Sequence, residues 1–167
     1  MKNIVLIGMP GVGKSTIGVL LAKTLGFSFV DTDLIIQQNT GRLLQEIIDA
    51  DGLDAFCIIE ERAICSVEAQ ENAVIATGGS AVYSRDAMLH LKKYGTVYYL
   101  SLPMDELKKR LSNIRTRGIA MRPDDTIEDV FRRRIELYDE YSDIVVDCSE
   151  KTAEQTVEEI SGYHILL

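Results

Sequence analysis

Residues 8–16 read Gly8-Met9-Pro10-Gly11-Val12-Gly13-Lys14-Ser15-Thr16 and match the pattern G-x-x-x-x-G-K-[ST] at every fixed position. The apolar run Asn3–Ile7 before them is typical of a buried strand, and Ile17–Leu25 after them has the spacing of a helix. A strand, this loop and a helix in that order form a P-loop, a turn that binds nucleotide phosphates. The stretch therefore predicts nucleotide binding and an α/β fold.

The chemistry of this loop follows from its residue types. Its glycines let the backbone curl so that successive amides point at phosphate oxygens, and the following helix adds its positive N-terminal end. Lys14 is expected to reach the β- and γ-phosphates and to act in catalysis, while the hydroxyl of Ser15 is the expected Mg²⁺ ligand. We therefore predict nucleotide contacts from Gly11, Val12, Gly13, Lys14, Ser15 and Thr16.

Composition limits the classes of function. With 167 residues and 18.6 kDa the chain is most simply one domain, 1–167, large enough to bury a core. A net charge of −8 argues against nucleic acid as a partner, and no apolar run approaches the roughly 20 residues of a membrane span. The start Met1-Lys2-Asn3 leaves no room for a signal peptide, so we expect a cytoplasmic monomer. Three cysteines without C-x-x-C spacing indicate neither a disulfide framework nor a zinc site.

Five short apolar runs alternate with helical segments along the chain. This alternation predicts a parallel sheet with right-handed crossovers, and hence a three-layer α/β/α sandwich of the P-loop NTPase fold. The predicted strands are Asn3–Ile7, Phe27–Val30, Val74–Ala76, Thr96–Ser101 and Asp143–Val146.

Polar residues follow two of these strands at the point where each strand ends. Asp31 and Asp33 come after the second strand, at the sheet edge that faces the ligand crevice in doubly wound folds. Either aspartate is alternatively a cap for the helix that begins near Leu34. Gly78 and Gly79 follow the third strand and allow close approach of a ligand, although most such pairs are plain turns.

Two segments interrupt the alternation. Residues of about 33–70 read as a helical insert, with a break at Thr40-Gly41. After that break the pattern predicts one helix over Arg42–Ala50 and a separate helix from about Leu53 to Ala69. Residues of about 112–126 lack periodicity and carry Arg115, Arg117 and Arg122, which favours a mobile lid that brings arginine to a phosphate.

These features together resemble the shikimate kinase family over nearly the whole chain. The resemblance is carried by the P-loop, Asp31-Thr32-Asp33, Gly52 and Phe56 ahead of Glu60, Gly78-Gly79, and Arg134 before Leu137-Tyr138. It implies the strand order 2-3-1-4-5, ATP and Mg²⁺ as cofactors, and phosphoryl transfer to the 3-hydroxyl of shikimate.

The same resemblance implies roles for individual residues. Asp33 would orient the acceptor hydroxyl, and Asp31 would support Mg²⁺ through water. Arg117 is the preferred catalytic arginine of the lid, with Arg115 and Arg122 as alternatives, and Arg115 is also expected to contact the nucleotide. The implied substrate contacts are Asp33, Glu60, Gly78, Gly79 and Arg134, with the helical insert as the acceptor-binding part.

The chain departs from the family pattern on the acceptor side. Cys57 stands where the family has the arginine that holds the substrate carboxylate, and Ser80 replaces the third glycine of a triple. Glu136 replaces the proline of the family's arginine-x-proline-leucine-tyrosine run, and the lid lacks the usual arginine-proline-leucine-leucine sequence. Loss of one charge-assisted contact is expected to weaken substrate binding by about 1.5–3 kcal/mol.

Three interpretations of the altered acceptor side follow. In the first, another cation, Arg134, Arg62 or Arg42, binds the carboxylate and shikimate remains the substrate. In the second, the acceptor is another hydroxylated metabolite, with Glu60 accepting its hydrogen bonds unless that side chain faces solvent. In the third, the protein is a nucleotide-binding regulatory module without efficient transfer.

Overall fold

Five parallel strands form one sheet in the order β2-β3-β1-β4-β5 in the part of the chain that the computed structural model describes, residues 2–68, 71–112 and 118–166. This arrangement confirms the predicted fold class and strand order. The strands are β1 (Asn3–Ile7), β2 (Ser28–Asp31), β3 (Ala73–Ala76), β4 (Gly95–Ser101) and β5 (Ile144–Asp147).

Helices flank this sheet and connect its strands. They are α1 (Lys14–Leu25), α2 (Thr32–Thr40), α3 (Leu44–Cys65), α4 (Arg85–Tyr94), α5 (Met104–Ser112), α6 (Ile127–Tyr141) and α7 (Ala153–Leu166). A short 3₁₀ turn, Ala81–Tyr83, lies between β3 and α4. None of the helices in the described ranges is both long and apolar enough to cross a bilayer.

The helical insert differs in detail from its sequence prediction. Helix α2 begins at Thr32 rather than near Leu34, because a carboxylate oxygen of Asp31 accepts a hydrogen bond from the Asp33 amide at 3.0 Å and caps the helix. Helix α3 runs from Leu44 to Cys65 as one element with a kink at Gly52, whose φ is +83°. The sequence had predicted two separate helices there, since glycine commonly ends a helix.

The core has a large and a small part. All five residues of β1 are buried, and the main cluster extends from them across the sheet to the surrounding helices. The smaller cluster lies between α2, α3 and the segment after Gly118, and it contains Ile36, Ile47, Phe56 and Ala120. The described part of the predicted lid therefore packs against the helical insert.

The start of β4 provides a test of the packing between the central strands. A Cβ atom on Gly95 would lie 2.8 Å from the carbonyl oxygen of Asn3 and 3.0 Å from a methyl of Val5. We expect Gly95→Ala to lower the free energy of unfolding by about 1–3 kcal/mol, because the neighbouring strand must move.

The matched control is Gly162→Ala in α7, where an added Cβ would meet nothing within 4 Å. This change is expected to raise the free energy of unfolding by about 0.5–1 kcal/mol, since alanine is the better helix former. Urea unfolding of both variants measures the difference. Equal stability of Gly95→Ala and the wild type would contradict the packing.

Candidate active site

The P-loop connects β1 to α1 and is shaped by glycines in left-handed or near-left-handed conformations. The φ angles of Gly8, Gly11 and Gly13 are +144°, +85° and +104°. Helix α1 begins directly at Lys14, so its unpaired first-turn amides face the loop. The arrangement is the concave, amide-lined turn that binds phosphate.

Lys14 lies inside this loop rather than in solvent. Its Nζ donates hydrogen bonds to the carbonyl oxygens of Gly8 at 2.7 Å and Met9 at 3.0 Å. Burial lowers the pKa of Lys14 to about 8, although the nearby Asp33 opposes the shift. The ammonium group is thus held beside the amides that would bind phosphate.

Ser15 and Asp31 form the candidate Mg²⁺ site. The Ser15 hydroxyl donates to one carboxylate oxygen of Asp31 at 2.9 Å, while the other oxygen caps α2. Asp31 is therefore both a cap and a partner of the P-loop serine. The described residues contain no cluster of three or more acidic, histidine or cysteine ligands. A site with only a few protein oxygens beside a phosphate-binding loop suits Mg²⁺, because this ion usually keeps waters and substrate phosphates as its other ligands.

A cleft of about 130 Å³ opens beside the P-loop, and we call it the central cleft. It brings together most of the residues that the sequence singled out. Its walls include Gly11, Gly13, Lys14, Ser15, Thr16, Asp33, Glu60, Gly78, Gly79 and Arg134, together with Phe56, Ser80 and residues 118–120.

Three buried polar atoms in the walls of this cleft have no hydrogen-bond partner within the described residues. They are Oδ1 of Asp33, Oε1 of Glu60 and Nη1 of Arg134. Buried polar atoms are nearly always paired, and leaving one unpaired costs about 1–3 kcal/mol. Two acceptors and one donor in a single cleft are the complement of a ligand that carries hydroxyl groups and an anionic group.

The glycine turn at the end of β3 makes room for these atoms. A Cβ on Gly78 would touch Oε1 of Glu60 and lie 2.9 Å from Oδ1 of Asp33. A Cβ on Gly79 would lie 2.9 Å from Nη1 of Arg134 and 2.7 Å from a ring carbon of Pro10. A side chain at either position would therefore fill the space beside the three unpaired atoms.

Both carboxyl groups of the cleft hold protons more tightly than usual. Burial raises the pKa of Asp33 to about 6, with a further contribution from Asp31 and an opposing one from Lys14. Burial also raises the pKa of Glu60 to about 7, and the hydrogen bond from the Ser80 hydroxyl, at 2.5 Å, opposes that shift. Asp33 thus has a pKa suited to accepting a proton near neutral pH.

Arg134 of α6 is fully buried. Its Nε donates to the Tyr83 hydroxyl at 3.1 Å, and its Nη2 donates to the main-chain carbonyl of Ala120. The Tyr138 hydroxyl, one helical turn further along α6, donates to the carbonyl of Gly79 at 2.6 Å. Helix α6 is thereby tied to both the glycine turn and the segment after Gly118.

Arg42 and Arg62, the other two arginines that could bind an acceptor carboxylate, lie outside the central cleft. Arg42 pairs with Asp51 at 2.6 Å on the surface, and Arg62 is exposed. Neither lines the central cleft. The predicted lid arginines Arg115 and Arg117 lie outside the described residues, so their roles stay predictions.

Cys57 and Val12 also lie outside the walls of the central cleft. Cys57 is half-buried, and burial raises the pKa of its thiol to about 11, so the side chain is neutral. Val12 contributes instead to a neighbouring pocket of about 220 Å³.

That neighbouring pocket was missed by sequence reasoning. It shares Gly13 and Thr16 with the central cleft and is also lined by Arg110 and Lys151, among others. Arg110 donates to the carbonyl of Val12 at 3.2 Å, which holds its side chain against the P-loop. In the sequence Arg110 stands among several basic residues of one segment, and nothing there distinguishes it from its neighbours.

Comparison with known proteins gives consistent results. The family model described as shikimate kinase matches residues 10–163. A shikimate kinase of Thermodesulfovibrio yellowstonii is 38% identical over 162 residues, which cover 96% of this chain and 93% of that protein. A shikimate kinase of Caldanaerobacter subterraneus is 33% identical and covers 100% of this chain and 98% of its own length.

Solved structures agree with this relationship. The shikimate kinase from Acinetobacter baumannii, in complex with shikimate, superposes with a TM-score of 0.90 at 27% identity, covering 99% of this chain and 93% of that chain. The shikimate kinase from Aquifex aeolicus has a TM-score of 0.80 at 32% identity, with coverage of 95% and 94%.

The raised pKa of Glu60 predicts how stability depends on pH. The unfolded chain loses this proton near its ordinary pKa of 4.5, whereas the folded protein keeps it to about 7. The free energy of unfolding therefore falls as pH rises through that interval. Glu60→Gln removes the titration, so its stability relative to the wild type should be greater at pH 8 than at pH 4.5, by about 3 kcal/mol.

Chemical unfolding at the two pH values measures this difference. Glu61→Gln is the control, because Glu61 neighbours Glu60 on α3 and pairs with Ser84 outside the central cleft. A stability difference between Glu60→Gln and the wild type that does not change with pH would contradict the raised pKa of Glu60.

Proposed function

The chain belongs to the shikimate kinase family, and from that membership we propose that it transfers the γ-phosphoryl group of ATP to the 3-hydroxyl of shikimate. The observation that carries the proposal is the set of three unpaired polar atoms beside Gly78 and Gly79, in a cleft that also contains Lys14 of the P-loop. Shikimate offers a carboxylate to Arg134 and hydroxyl groups to Asp33 and Glu60.

The donor side uses the P-loop and its neighbouring pocket. The loop amides, Lys14 and Thr16 would bind the phosphates of ATP. The adenine ring would lie in the neighbouring pocket, against Arg110 and beside Lys151. This position leaves the γ-phosphate at the mouth of the central cleft, which shares Gly13 and Thr16 with that pocket.

The residues of the site supply positioning, charge and a base. Ser15 and Asp31 would hold Mg²⁺, which when bound neutralises charge on the phosphate oxygens. Asp33 accepts the proton of the attacking hydroxyl through its unpaired oxygen, and Lys14 offsets the negative charge beside it. Glu60 and Arg134 orient the acceptor ring so that one hydroxyl faces Asp33.

The segment after Gly118 would form part of a lid over the acceptor. Its main chain contacts Arg134 through Ala120, and a Cβ on Gly118 would lie 2.9 Å from the backbone of Gln45 in α3. We propose residues 112–126 as the lid and the helices within 33–70 as the acceptor-binding part of one domain, 1–167. Closure over the cleft would exclude water from the reacting phosphate.

Other parts of the proposal concern partners and location. A net charge of −8 disfavours nucleic acid as a partner, and we propose a monomeric, cytoplasmic enzyme of aromatic amino acid biosynthesis. The two alternative interpretations, another acceptor or a regulatory module, gain no support from the relatives, which are named shikimate kinases.

A coupled assay of ADP release tests the activity. The wild type should release ADP in the presence of shikimate, and Asp33→Asn should lower kcat by about 10²- to 10⁴-fold because the base is lost. The KM for ATP should change little, since the P-loop is untouched. Asp139→Asn, an exposed change on α6, is the matched control and should leave the rate unchanged. Protein that binds ATP but releases no ADP with millimolar shikimate would overturn the proposal.

The pH dependence of kcat/KM gives a second test. Asp33 must be ionised to accept a proton, and its pKa in the folded protein is about 6. The rate should therefore fall about tenfold per pH unit below that value and level off near the pKa of Glu60, about 7, before Lys14 begins to lose its charge near its pKa of about 8. Initial rates measured from about pH 5 to about pH 8 provide the profile. A flat profile across this range would exclude Asp33 as the base.

A further inference from the structure

Two hydroxyl side chains stand at the ends of the short turn that follows Gly79. Ser80 donates to Glu60, and Tyr83 accepts from Arg134. We propose that Ser80 and Tyr83 are positioning residues of the central cleft, each fixing one charged side chain so that its free polar atom faces the acceptor. This inference rests on the proposed function, because it concerns how the acceptor is held.

The hydrogen bond from Ser80 holds one of the two oxygens of the buried Glu60 carboxyl group. Both residues are almost fully buried, at 3% and 2% exposure. The Ser80 hydroxyl binds Oε2 at 2.5 Å, and Oε1 has no partner in the described structure. A carboxyl group that is held by one oxygen presents the other in a defined direction. The free oxygen is the one that a Cβ on Gly78 would touch, so it points to the space beside the glycine turn.

The contact between Tyr83 and Arg134 does the same for a guanidinium group. The Tyr83 ring centre lies 5.1 Å from the guanidinium carbon, and the hydroxyl accepts from Nε. With Nη2 bound to the carbonyl of Ala120, the plane of the group is fixed at two nitrogens. The remaining nitrogen, Nη1, is unpaired and lies beside Gly79.

The neutral thiol of Cys57 explains why the Ser80 hydroxyl is needed to orient Glu60. Cys57 lies one helical turn before Glu60 on α3 and carries no charge near neutral pH, since burial raises its pKa to about 11. It therefore provides no cation to orient Glu60 from its own helix. Orientation comes instead from the other side of the cleft, through Ser80. The departures at Cys57 and Ser80 thus belong to one arrangement.

Steady-state kinetics of Ser80→Ala and Tyr83→Phe test the inference. Each change removes one hydrogen bond to a charged or ionisable group, so the KM for shikimate should rise about tenfold. The KM for ATP should change less than about twofold, because the hydrogen bonds that these two hydroxyls make in the described structure are to Glu60 and Arg134 and not to the P-loop. Tyr83→Phe keeps the ring over Arg134, so its effect reports the hydroxyl alone.

Two control variants remove similar groups outside the central cleft. Glu61→Gln alters the serine–glutamate pair that Ser84 forms with Glu61 at 2.6 Å. Tyr98→Phe removes a buried hydroxyl for which the described structure shows no partner. Both controls should keep the wild-type KM for shikimate. A Ser80→Ala or Tyr83→Phe variant that raises both KM values equally, or neither, would overturn the positioning role.

A second measurement does not depend on the acceptor. The groups that face Glu60 are Ser80, Asp33, Arg134 and Lys14, with Cys57 on its own helix. Because the Ser80 hydrogen bond favours the ionised carboxylate, Ser80→Ala should shift the Glu60 titration, followed by carbon-13 NMR of its carboxyl group, to higher pH. If Ser80→Ala does not fold, Ser80→Cys keeps the size with a weaker donor and should shift the titration in the same direction.

The two measurements separate the possible failures. No turnover of shikimate by the wild type would overturn the proposed function, while a shifted Glu60 titration in Ser80→Ala would still support the pairing. Normal turnover by the wild type, with an unshifted titration and unchanged KM in the variant, would overturn the positioning role alone.

Discussion

The carboxyl ends of β2, β3 and β1 lie next to one another at one edge of the sheet, and the rest of the site depends on this adjacency. The register pairs Leu6 with Ala76 and Asp31 with Ala76, and the Thr77 amide binds the carbonyl of Leu6 at 3.2 Å. Segments that are distant in sequence therefore meet: the P-loop, the aspartate pair and the glycine turn. A shift of one residue in the register of one strand would turn the side chains of that strand to the opposite face of the sheet and displace the segment that follows it.

The cleft that forms at this edge holds a set of charges that the fold does not neutralise by direct pairing. Lys14, Glu60 and Arg134 are buried near one another and near the partly buried Asp33, yet no ion pair within 4.0 Å joins any two of these four residues in the described structure. Lys14, Glu60 and Arg134 are instead held by hydrogen bonds with neutral groups, either carbonyls or hydroxyls. Such an arrangement lowers stability, because buried charge is left without a full counter-charge. It also keeps the charged atoms free to bind a ligand, which is the usual compromise at a catalytic site.

The main features of the fold and of the donor side were predictable from sequence, because they depend on local patterns. The P-loop, the strands and the residues that directly follow them can be placed by periodicity and motif alone. The contact of Ser80 with Glu60 could not be predicted, because it depends on how α3 packs beside the turn after β3, which brings the two side chains together. The continuation of α3 through Gly52 and the pairing of Arg42 with Asp51 likewise depend on tertiary packing. The sequence alone therefore did not determine which arginine would bind the acceptor. In the described structure Arg134 lines the central cleft, whereas the other two candidates, Arg42 and Arg62, do not.

The hydrogen bond from Arg134 to Ala120 has a consequence for how this protein can evolve. The acceptor of that bond is a main-chain carbonyl, which every residue type provides. The hydrogen bond from Arg134 therefore does not depend on the side chains of the segment after Gly118. It requires only that the main chain keeps its path and that the residue at position 120 is small enough to be buried. Substitutions in the segment after Gly118 therefore need not break its hydrogen bond to Arg134 in the wall of the cleft.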